Sequence, residues 1–251
     1  MINIREIYRY PLKGFSGERL ARAELKAART IDGDRRFVLR HAASKYDPAE
    51  PTWQPKGEFV VLAHGAAPAT VATTLDPATG VFTIARKDGH QLFVGNVSTE
   101  AGRRAASFVL SRVVKDGRGP VEIIDAGALA MTDIKTPALS LINPASVKAL
   151  SERLKIEVDP MRFRGNLLID GAAPWAEFDW VGRTVTLGSA TATVMKRIGR
   201  CAAISVDPTT ATKDINLVAM LQQHFDHTDC GIYLEITGAG VIKPGDAITI
   251  K

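Results

Sequence analysis

The residue of this sequence best suited to chemistry is Cys201, a cysteine that directly follows Arg200 between two apolar runs. Cysteine ligates metals and attacks electrophiles as the thiolate, and a neighbouring cation favours that form. Residues 190–195 alternate small or apolar residues with hydroxylated ones, which predicts a strand. Cys201 would then lie just beyond a strand end, where rigid scaffold meets loop and sites are commonly built. The alternative, a small buried hydrophobic residue, stays open from the residue alone.

Other side chains with chemical capacity are scattered along the chain. His224 and His227 are three residues apart near the end of a predicted helix and could share a metal ion. No Cys-x-x-Cys pair or second carboxylate cluster completes a zinc site, which favours a surface position for both. Considered one at a time, the remaining charged candidates are typical of solvated surface residues, and the remaining asparagine is typical of an edge strand. These candidates are Lys13, Arg35, Arg164, Arg200 and Asn166.

Several common motifs are missing from the sequence. No Gly-x-x-x-x-Gly-Lys-Ser/Thr phosphate loop occurs, and Gly238-Ala239-Gly240 lacks the third glycine of a dinucleotide fingerprint. Gly14-Phe15-Ser16-Gly17-Glu18 is one residue short of a nucleophile elbow. The residues therefore indicate neither a nucleotide site nor a serine hydrolase.

The overall composition is that of a mildly basic globular protein. The chain has 251 residues, 32 Lys and Arg against 27 Asp and Glu, and a net charge of +5. This excess suits an anionic ligand, but the sequence lacks the basic run interleaved with aromatic residues that would indicate nucleic-acid binding. Two cysteines are too few for a disulfide framework, although one bridge between Cys201 and Cys230 stays open. With no signal-peptide core and no apolar span of roughly 20 residues, we expect a cytoplasmic protein without membrane contact.

The patterning predicts a mainly β fold with a few helices (α+β), in which short strands form barrels. Helices are expected at 99–113, at 143–154 with Asn143 as cap, and at 215–225 with Asp214 as cap. The turn-rich segment 115–120 predicts a boundary between domains of residues 1–115 and 116–251. Strands are expected at 2–10, 19–25, 37–40, 59–63, 69–75, 81–85, 121–124, 163–169, 184–187, 190–197, 203–206, 232–236 and 247–250.

Several motifs, spread over nearly the whole chain, resemble those of the MOSC proteins, named for the C-terminal domain of molybdenum cofactor sulfurase. Two resemble the family's N-terminal domain: Tyr8-Arg9-Tyr10-Pro11-Leu12-Lys13-Gly14 and Gly33-Asp34-Arg35-Arg36-Phe37. Others resemble the MOSC domain itself: Phe163-Arg164-Gly165-Asn166, Arg200-Cys201 with Val206-Asp207-Pro208, and Gly231-Ile232-Tyr233 with Gly245-Asp246. The most similar subgroup includes the mitochondrial amidoxime reducing component and its bacterial relatives.

This resemblance implies an N-terminal β-barrel-like domain, a MOSC β-barrel domain and the molybdenum cofactor, molybdopterin. It implies that Cys201 ligates the molybdenum and is the catalytic residue, while Lys13, Arg35, Arg164, Asn166 and Arg200 bind the pterin and its phosphate. The chemistry agrees, because a soft thiolate suits this metal if a pterin dithiolene supplies other ligands, and guanidinium groups clamp phosphate. Since these residues come from both halves of the chain, we predict a site in the cleft between them.

The leading hypothesis is therefore an oxidoreductase that reduces N-hydroxylated or N-oxygenated small molecules. The sequence has too few cysteines for a four-thiolate iron–sulfur cluster and no flavin or nicotinamide fingerprint, so a separate ferredoxin or cytochrome would donate electrons. The alternative is a carrier that holds the cofactor, or a persulfide on Cys201, without turning over a substrate. The substrate itself depends on loops such as residues 42–57.

Overall fold

The computed structural model describes residues 1–115 and 118–251 of the chain. The helices in this part are α1 (Glu100–Val113), α2 (Pro144–Leu154) and α3 (Leu217–Phe225). The strands are β1 (Ile2–Arg9), β2 (Glu18–Leu20), β3 (Ala23–Leu25), β4 (Phe37–His41), β5 (Val71–Leu75), β6 (Val81–Arg86), β7 (Gln91–Asn96), β8 (Val121–Asp125), β9 (Leu139–Ile142), β10 (Leu167–Asp170), β11 (Thr184–Leu187), β12 (Ala190–Gly199), β13 (Asp229–Gly238), β14 (Gly240–Ile242) and β15 (Ala247–Ile250). The fold is mainly β with a few helices, as predicted.

Seven strands close into a barrel in the order β10, β9, β13, β12, β11, β15 and β1, and β1 pairs back to β10. The barrel pairs are antiparallel except β9 with β10. Inside it, alternate residues of β12 and β13 are buried in one apolar core, which follows from the period of two along a strand. Each such Val, Leu or Ile contributes roughly 1.5–3 kcal/mol by leaving water.

Strand β2 pairs with β1 beside the barrel, and the other described strands form open sheets of two and three strands. β4 pairs with β8, β3 with β14, and β5, β6 and β7 form a meander. Helix α1 covers a second apolar core that includes Phe37, Phe82 and Leu110. Both β1 and β8 pair across the predicted domain boundary. The boundary segment includes Asp116 and Gly117, which lie outside the described residues, so the division at 115/116 stays a prediction.

The helix starts follow their capping residues. The Thr99 side chain accepts a hydrogen bond from the Gly102 amide at 3.1 Å, and Asn143 caps α2 with Pro144 at its first position. The predicted cap of α3 is wrong, because Asn216 accepts the bond from Ala219. The side chain of Asp214 is instead held in an ion pair with Arg162.

Four predicted strands differ from the structure, and one of them, 19–25, is divided into β2 and β3, which pair with different strands. Residues 59–63 make a single bridge, Phe59 with Arg40, and then turn. Residues 202–205 form a 3₁₀ turn because Ile204 packs into the core beside α3, and only the last part of 163–169 is a strand. The sequence also missed β7, β9 and β14. Two of these segments, 163–169 and 202–205, lie beside the site described next.

Candidate functional site

A cavity of about 270 Å³ lies at one end of the barrel and is lined by all six residues singled out from the sequence. Lys13 lies on the turn after β1, and Arg35 on the turn before β4. The segment between a 3₁₀ turn and β10 contributes Arg164 and Asn166, while β12 leads into Arg200 and Cys201. The structure therefore brings residues from both halves of the chain into one cavity, as predicted.

Cys201 follows the end of β12 directly and lies at the N-terminus of the 3₁₀ turn Ala202–Ser205. Its side chain is partly exposed, and both cysteines are free. Cys230 is fully buried, and burial raises the pKa of its thiol to about 12. The bridge left open by the sequence does not form, and the thiol that faces the cavity is the one beside Arg200.

The Arg200 guanidinium is tied to the backbone of two neighbouring elements. Its Nε donates to the carbonyl oxygen of Cys230 at 2.8 Å, and its Nη2 donates to the same oxygen. Its Nη1 donates to the carbonyl oxygen of Phe163 at 2.9 Å. Arg200 therefore fixes the backbone on which Cys201 is carried, and the two remaining guanidinium protons are left for a ligand.

Asn166 is the centre of a buried hydrogen-bond network and is 1% exposed. Its Oδ1 accepts from Arg35 Nη1 at 3.1 Å and from the amide and hydroxyl of Ser140. Its Nδ2 donates to the carbonyl of Tyr8 and to Asp34 Oδ1. The Asn166 side-chain amide makes all its hydrogen bonds inside the protein. Asn166 can therefore act on a ligand only by positioning Arg35.

Lys13 is buried, and its ammonium group has no free donor. Nζ lies 2.7 Å from the Met131 carbonyl, 3.1 Å from the Thr132 carbonyl and 3.1 Å from Asp133 Oδ1. Burial lowers the pKa of Lys13. Desolvation of the Asp133 carboxyl by the surrounding protein would by itself raise its pKa, but Lys13 and Arg35 hold that pKa well below its usual range. Lys13 thus contributes charge to the cavity rather than a free hydrogen-bond donor.

Two guanidinium groups stack on one buried phenol ring. The Cζ atoms of Arg35 and Arg164 each lie 4.5 Å from the centroid of Tyr10. Arg35 is ion-paired to Asp34 at 2.6 Å, whereas the guanidinium of Arg164 makes one recorded hydrogen bond within the described chain, to the Phe15 carbonyl at 2.5 Å. Burial lowers the pKa of Arg164. Of the two arginines stacked on Tyr10, Arg164 therefore has more donors available to an anion.

The cavity as a whole is strongly cationic. Asp133 is its one carboxylate among the described lining residues, against eight cationic side chains. These are Lys13, Arg35, Lys56, Arg162, Arg164, Lys196, Arg197 and Arg200. A cleft lined by one sign of charge concentrates ligands of the opposite sign, so the cavity is built for an anionic ligand.

Comparison with known proteins places a family domain over the second half of the chain. The family model of the MOSC domain matches residues 130–249. Residues 130–249 form a MOSC domain. Such domains are associated with molybdenum-cofactor proteins. The resemblance to MOSC proteins is thus confirmed for these residues, while the relation to the amidoxime reducing component stays a prediction.

The solved structures that match this chain are distant from it in sequence. YiiM from Geobacillus stearothermophilus is 17% identical over 45% of this chain and 53% of its own, with a TM-score of 0.36. YiiM from Escherichia coli is 18% identical over the same shares, with a TM-score of 0.34. YUAD from Bacillus subtilis is 11% identical over 99% of this chain and 94% of its own, with a TM-score of 0.46. The chain thus spans about half the length of the YiiM proteins. No curated protein matches the sequence.

The MOSC domain contributes Arg164, Asn166, Arg200 and Cys201, whereas Lys13 and Arg35 lie outside the matched residues. Several lining residues were not predicted from the sequence, namely Lys56, Asp133, Arg162, Lys196, Arg197 and Tyr233. Lys196 and Arg197 come shortly before Arg200 and Cys201 in the sequence, and this proximity could have indicated that they line the same cavity. Lys56 starts a short 3₁₀ turn and Asp133 lies on an irregular segment, and neither segment has a periodicity that would predict a side chain directed at a site.

The two histidines of the MOSC domain are not brought to the cavity. His227 packs edge-on against Trp175 and Phe178, with ring centroids 5.2 and 5.3 Å away, and its Nδ1 accepts from the Asp229 amide. Across residues 1–115 and 118–251, no group of three or more His, Cys, Asp or Glu side chains is placed to hold a metal ion. In the same residues, no helix has both the length and the apolar character needed to cross a bilayer.

Proposed function

We propose that this protein binds molybdopterin in the cationic cavity, with Cys201 as the molybdenum ligand, and reduces N-hydroxylated or N-oxygenated small molecules. A separate ferredoxin or cytochrome supplies the electrons. The reaction consumes two electrons and two protons, replaces an N–OH bond by N–H and releases water. One observation carries the proposal: a partly exposed thiol shares a cavity with eight cations and one carboxylate.

The residues present fit the cofactor in charge and in donor type. A thiolate is a soft ligand, and one protein thiolate suffices where a pterin dithiolene completes the metal's coordination. The pterin phosphate needs planar, charge-assisted donors, which Arg164 offers with Arg35 and Arg200 beside it. When bound, the cofactor supplies the redox-active metal. The protein supplies the thiolate, the cationic walls and the rigid backbone that holds both.

The other candidates take indirect roles in this proposal. Asn166 holds Arg35 in place through the hydrogen bond between Oδ1 and Nη1. Lys13 adds a buried positive charge and holds the segment 131–133 against the cavity. Both residues would affect cofactor affinity without contacting the phosphate, which revises the direct binding role that the resemblance implied.

Metal and pterin analysis of protein made in a host that synthesises the cofactor tests the proposal. We expect equimolar molybdenum and pterin, and reduction of benzamidoxime with reduced methyl viologen as artificial donor. Protein that carries neither molybdenum nor pterin would contradict the cofactor assignment. Protein that carries both, reduces no N-oxygenated compound, and transfers the cofactor to an apoenzyme would establish the carrier function instead, which the partial exposure of Cys201 also permits.

A further inference from the structure

Two 3₁₀ turns at the cavity carry Cys201 and Arg164. The thiol turn comprises Cys201 and Ala202–Ser205, and the arginine turn is Pro160–Phe163, which Arg164 follows directly. Each turn contributes a side chain to the apolar core beside α3. In the proposed function, one turn presents the metal ligand and the other a phosphate donor. The distance between the two turns therefore determines whether both can engage one cofactor.

In front of the thiol, one hydrogen bond joins the two turns. The Nη1 atom of Arg200 donates to the carbonyl oxygen of Phe163 at 2.9 Å. This bond connects the residue that precedes Cys201 to the last residue of the arginine turn. A bond at one end alone would still allow the other end of the thiol turn to move.

Behind the thiol turn, the chain forms an acidic loop, residues 207–214. The amide of Asp214 donates to the carbonyl oxygen of Ser205, the last residue of the thiol turn. From the arginine turn, Arg162 donates to Asp214 through Nη1 at 2.8 Å, and through Nη2 to Asp207 at 2.7 Å and to Asp214 at 2.5 Å. The arginine turn therefore holds the thiol turn at both ends.

The ion pairs of Arg162 are explained better by position than by stability. The Arg162 side chain is buried, and among the residues that the structure describes its Nε has no hydrogen-bond partner. Desolvation of buried charges offsets much of their mutual attraction, so a buried ion pair is weak evidence for a net gain in stability. Paired guanidinium–carboxylate hydrogen bonds do, however, fix direction as well as distance.

We propose that Arg162 is a positioning residue. By holding the acidic loop, it sets the position of the Cys201 thiol relative to Arg164. Both terminal nitrogens of Arg162 are engaged by carboxylates, so it acts through the loop rather than on a ligand. The consequence for turnover rests on the proposed function, whereas the hold on the thiol turn is a property of the protein alone.

Three single variants test the inference. Arg162→Lys keeps the charge but loses the planar fork that bonds two carboxylates at once. Asp214→Asn weakens the same contact from the loop side and replaces Arg162→Lys if that variant does not fold. Arg36→Lys is the matched control, because Arg36 makes a bidentate pair with Asp125, at 2.9 and 2.7 Å, and does not line the cavity.

Hydrogen–deuterium exchange of the cofactor-free protein measures the hold directly. In Arg162→Lys we expect the amides of residues 201–214 to exchange at least about tenfold faster, the size of one charge-assisted hydrogen bond, because local opening controls exchange. The amides of β11 and β15 should exchange at the wild-type rate, and so should residues 201–214 in Arg36→Lys. Combined with Arg162→Lys, Asp214→Asn should add less than its effect alone, since both changes break one contact.

Steady-state kinetics of the cofactor-containing protein separates positioning from stability. For benzamidoxime with reduced methyl viologen, we expect Arg162→Lys to lower kcat per bound molybdenum by about tenfold or more and to change KM by less than about twofold. Pterin should be retained, because Arg164, Arg35 and Arg200 remain. A purely structural role would reduce the amount of folded protein and leave kcat per molybdenum unchanged.

Three results would overturn the inference. These are wild-type exchange of residues 201–214 in Arg162→Lys, faster exchange throughout the barrel, and unchanged kcat per bound molybdenum. Faster exchange of residues 201–214 in Arg36→Lys would do the same, because the effect would then not be specific to Arg162. If the wild-type protein reduces no N-oxygenated compound but the exchange results hold, the reductase proposal fails, and the positioning of the thiol turn by Arg162 stands.

Discussion

The Arg200 guanidinium grips the carbonyl oxygen of Cys230 from two of its nitrogens, with Nε at 2.8 Å. Arg200 is adjacent to Cys201 in the chain, and Cys230 lies in β13, the strand that pairs with β12. The contact therefore joins the end of one barrel strand to the start of its neighbour at the point where the thiol is presented. This contact therefore helps to fix the position of Cys201.

Arg200→Lys tests that dependence. A lysine keeps the charge but cannot bond the Cys230 and Phe163 carbonyls together, so we expect a loss of about 1–3 kcal/mol in the free energy of unfolding and a lower cofactor content. Urea denaturation and molybdenum analysis measure the two effects. Arg183→Lys, at an exposed position, is the control. Unchanged stability and cofactor content in Arg200→Lys would show that the charge alone matters.

Asn166→Ala should be among the most damaging single changes in the fold. It leaves the Ser140 amide, the Tyr8 carbonyl and one donor of Arg35 without a partner in a buried site, at a cost of at least about 3 kcal/mol. Asn3→Ala, which removes one long hydrogen bond of 3.5 Å at a more exposed site, should change stability by less than about 0.5 kcal/mol. Comparable unfolding midpoints for the two variants would contradict the network described above.

Glu177 predicts a pH-dependent stability. Its carboxyl group is fully buried, and burial raises its pKa above the ordinary value of 4.5, although Asn143 and Ser146 donate hydrogen bonds to it. A raised carboxyl pKa stabilises the fold below the unfolded-state value and loses that contribution as the pH rises through the folded-state value. Relative to Glu177→Gln, the wild-type protein should therefore lose stability from about pH 4.5 upward. Urea titrations at several pH values measure this, with the exposed Glu157→Gln as control, and a pH-independent difference would contradict it.

The sequence was most informative where one local signal decides the structure. Asn143-Pro144 and Thr99 each specify a helix start by capping chemistry, and the alternation before Cys201 specifies β12. It was least informative where tertiary partners override local preference. Asp is as good a helix cap as Asn, but the Asp214 carboxylate is ion-paired with Arg162. No local sequence pattern predicts that pairing.

The candidate site divides in the same way. The motifs that resemble MOSC proteins supplied six candidates that all line one cavity, but they did not predict which protein groups Lys13 and Asn166 contact there. Lys13 and Asn166 are both buried, and their side chains donate hydrogen bonds to other protein groups. Whether a polar group faces a ligand or a carbonyl depends on residues more than 100 positions away, such as Met131 for Lys13, and a local pattern does not contain that information.

The role of Cys201 as the molybdenum ligand is tested most directly by comparing Cys201→Ser with Cys230→Ser in the cofactor-containing protein. A serine hydroxyl is far harder to deprotonate than a thiol, so it is a poor ligand for a soft metal. The Cys230 variant places a hydroxyl in a fully buried site and should cost roughly 1–3 kcal/mol of stability without touching the metal.

The measurement is the rate of benzamidoxime reduction with reduced methyl viologen, with pterin content determined on the same samples. We expect Cys201→Ser to retain pterin, because Arg164, Arg35 and Arg200 remain, and to lose reductase activity by orders of magnitude. We expect Cys230→Ser to retain both pterin and activity wherever it stays folded. Full activity in folded Cys201→Ser protein would contradict the assignment of Cys201 as the molybdenum ligand.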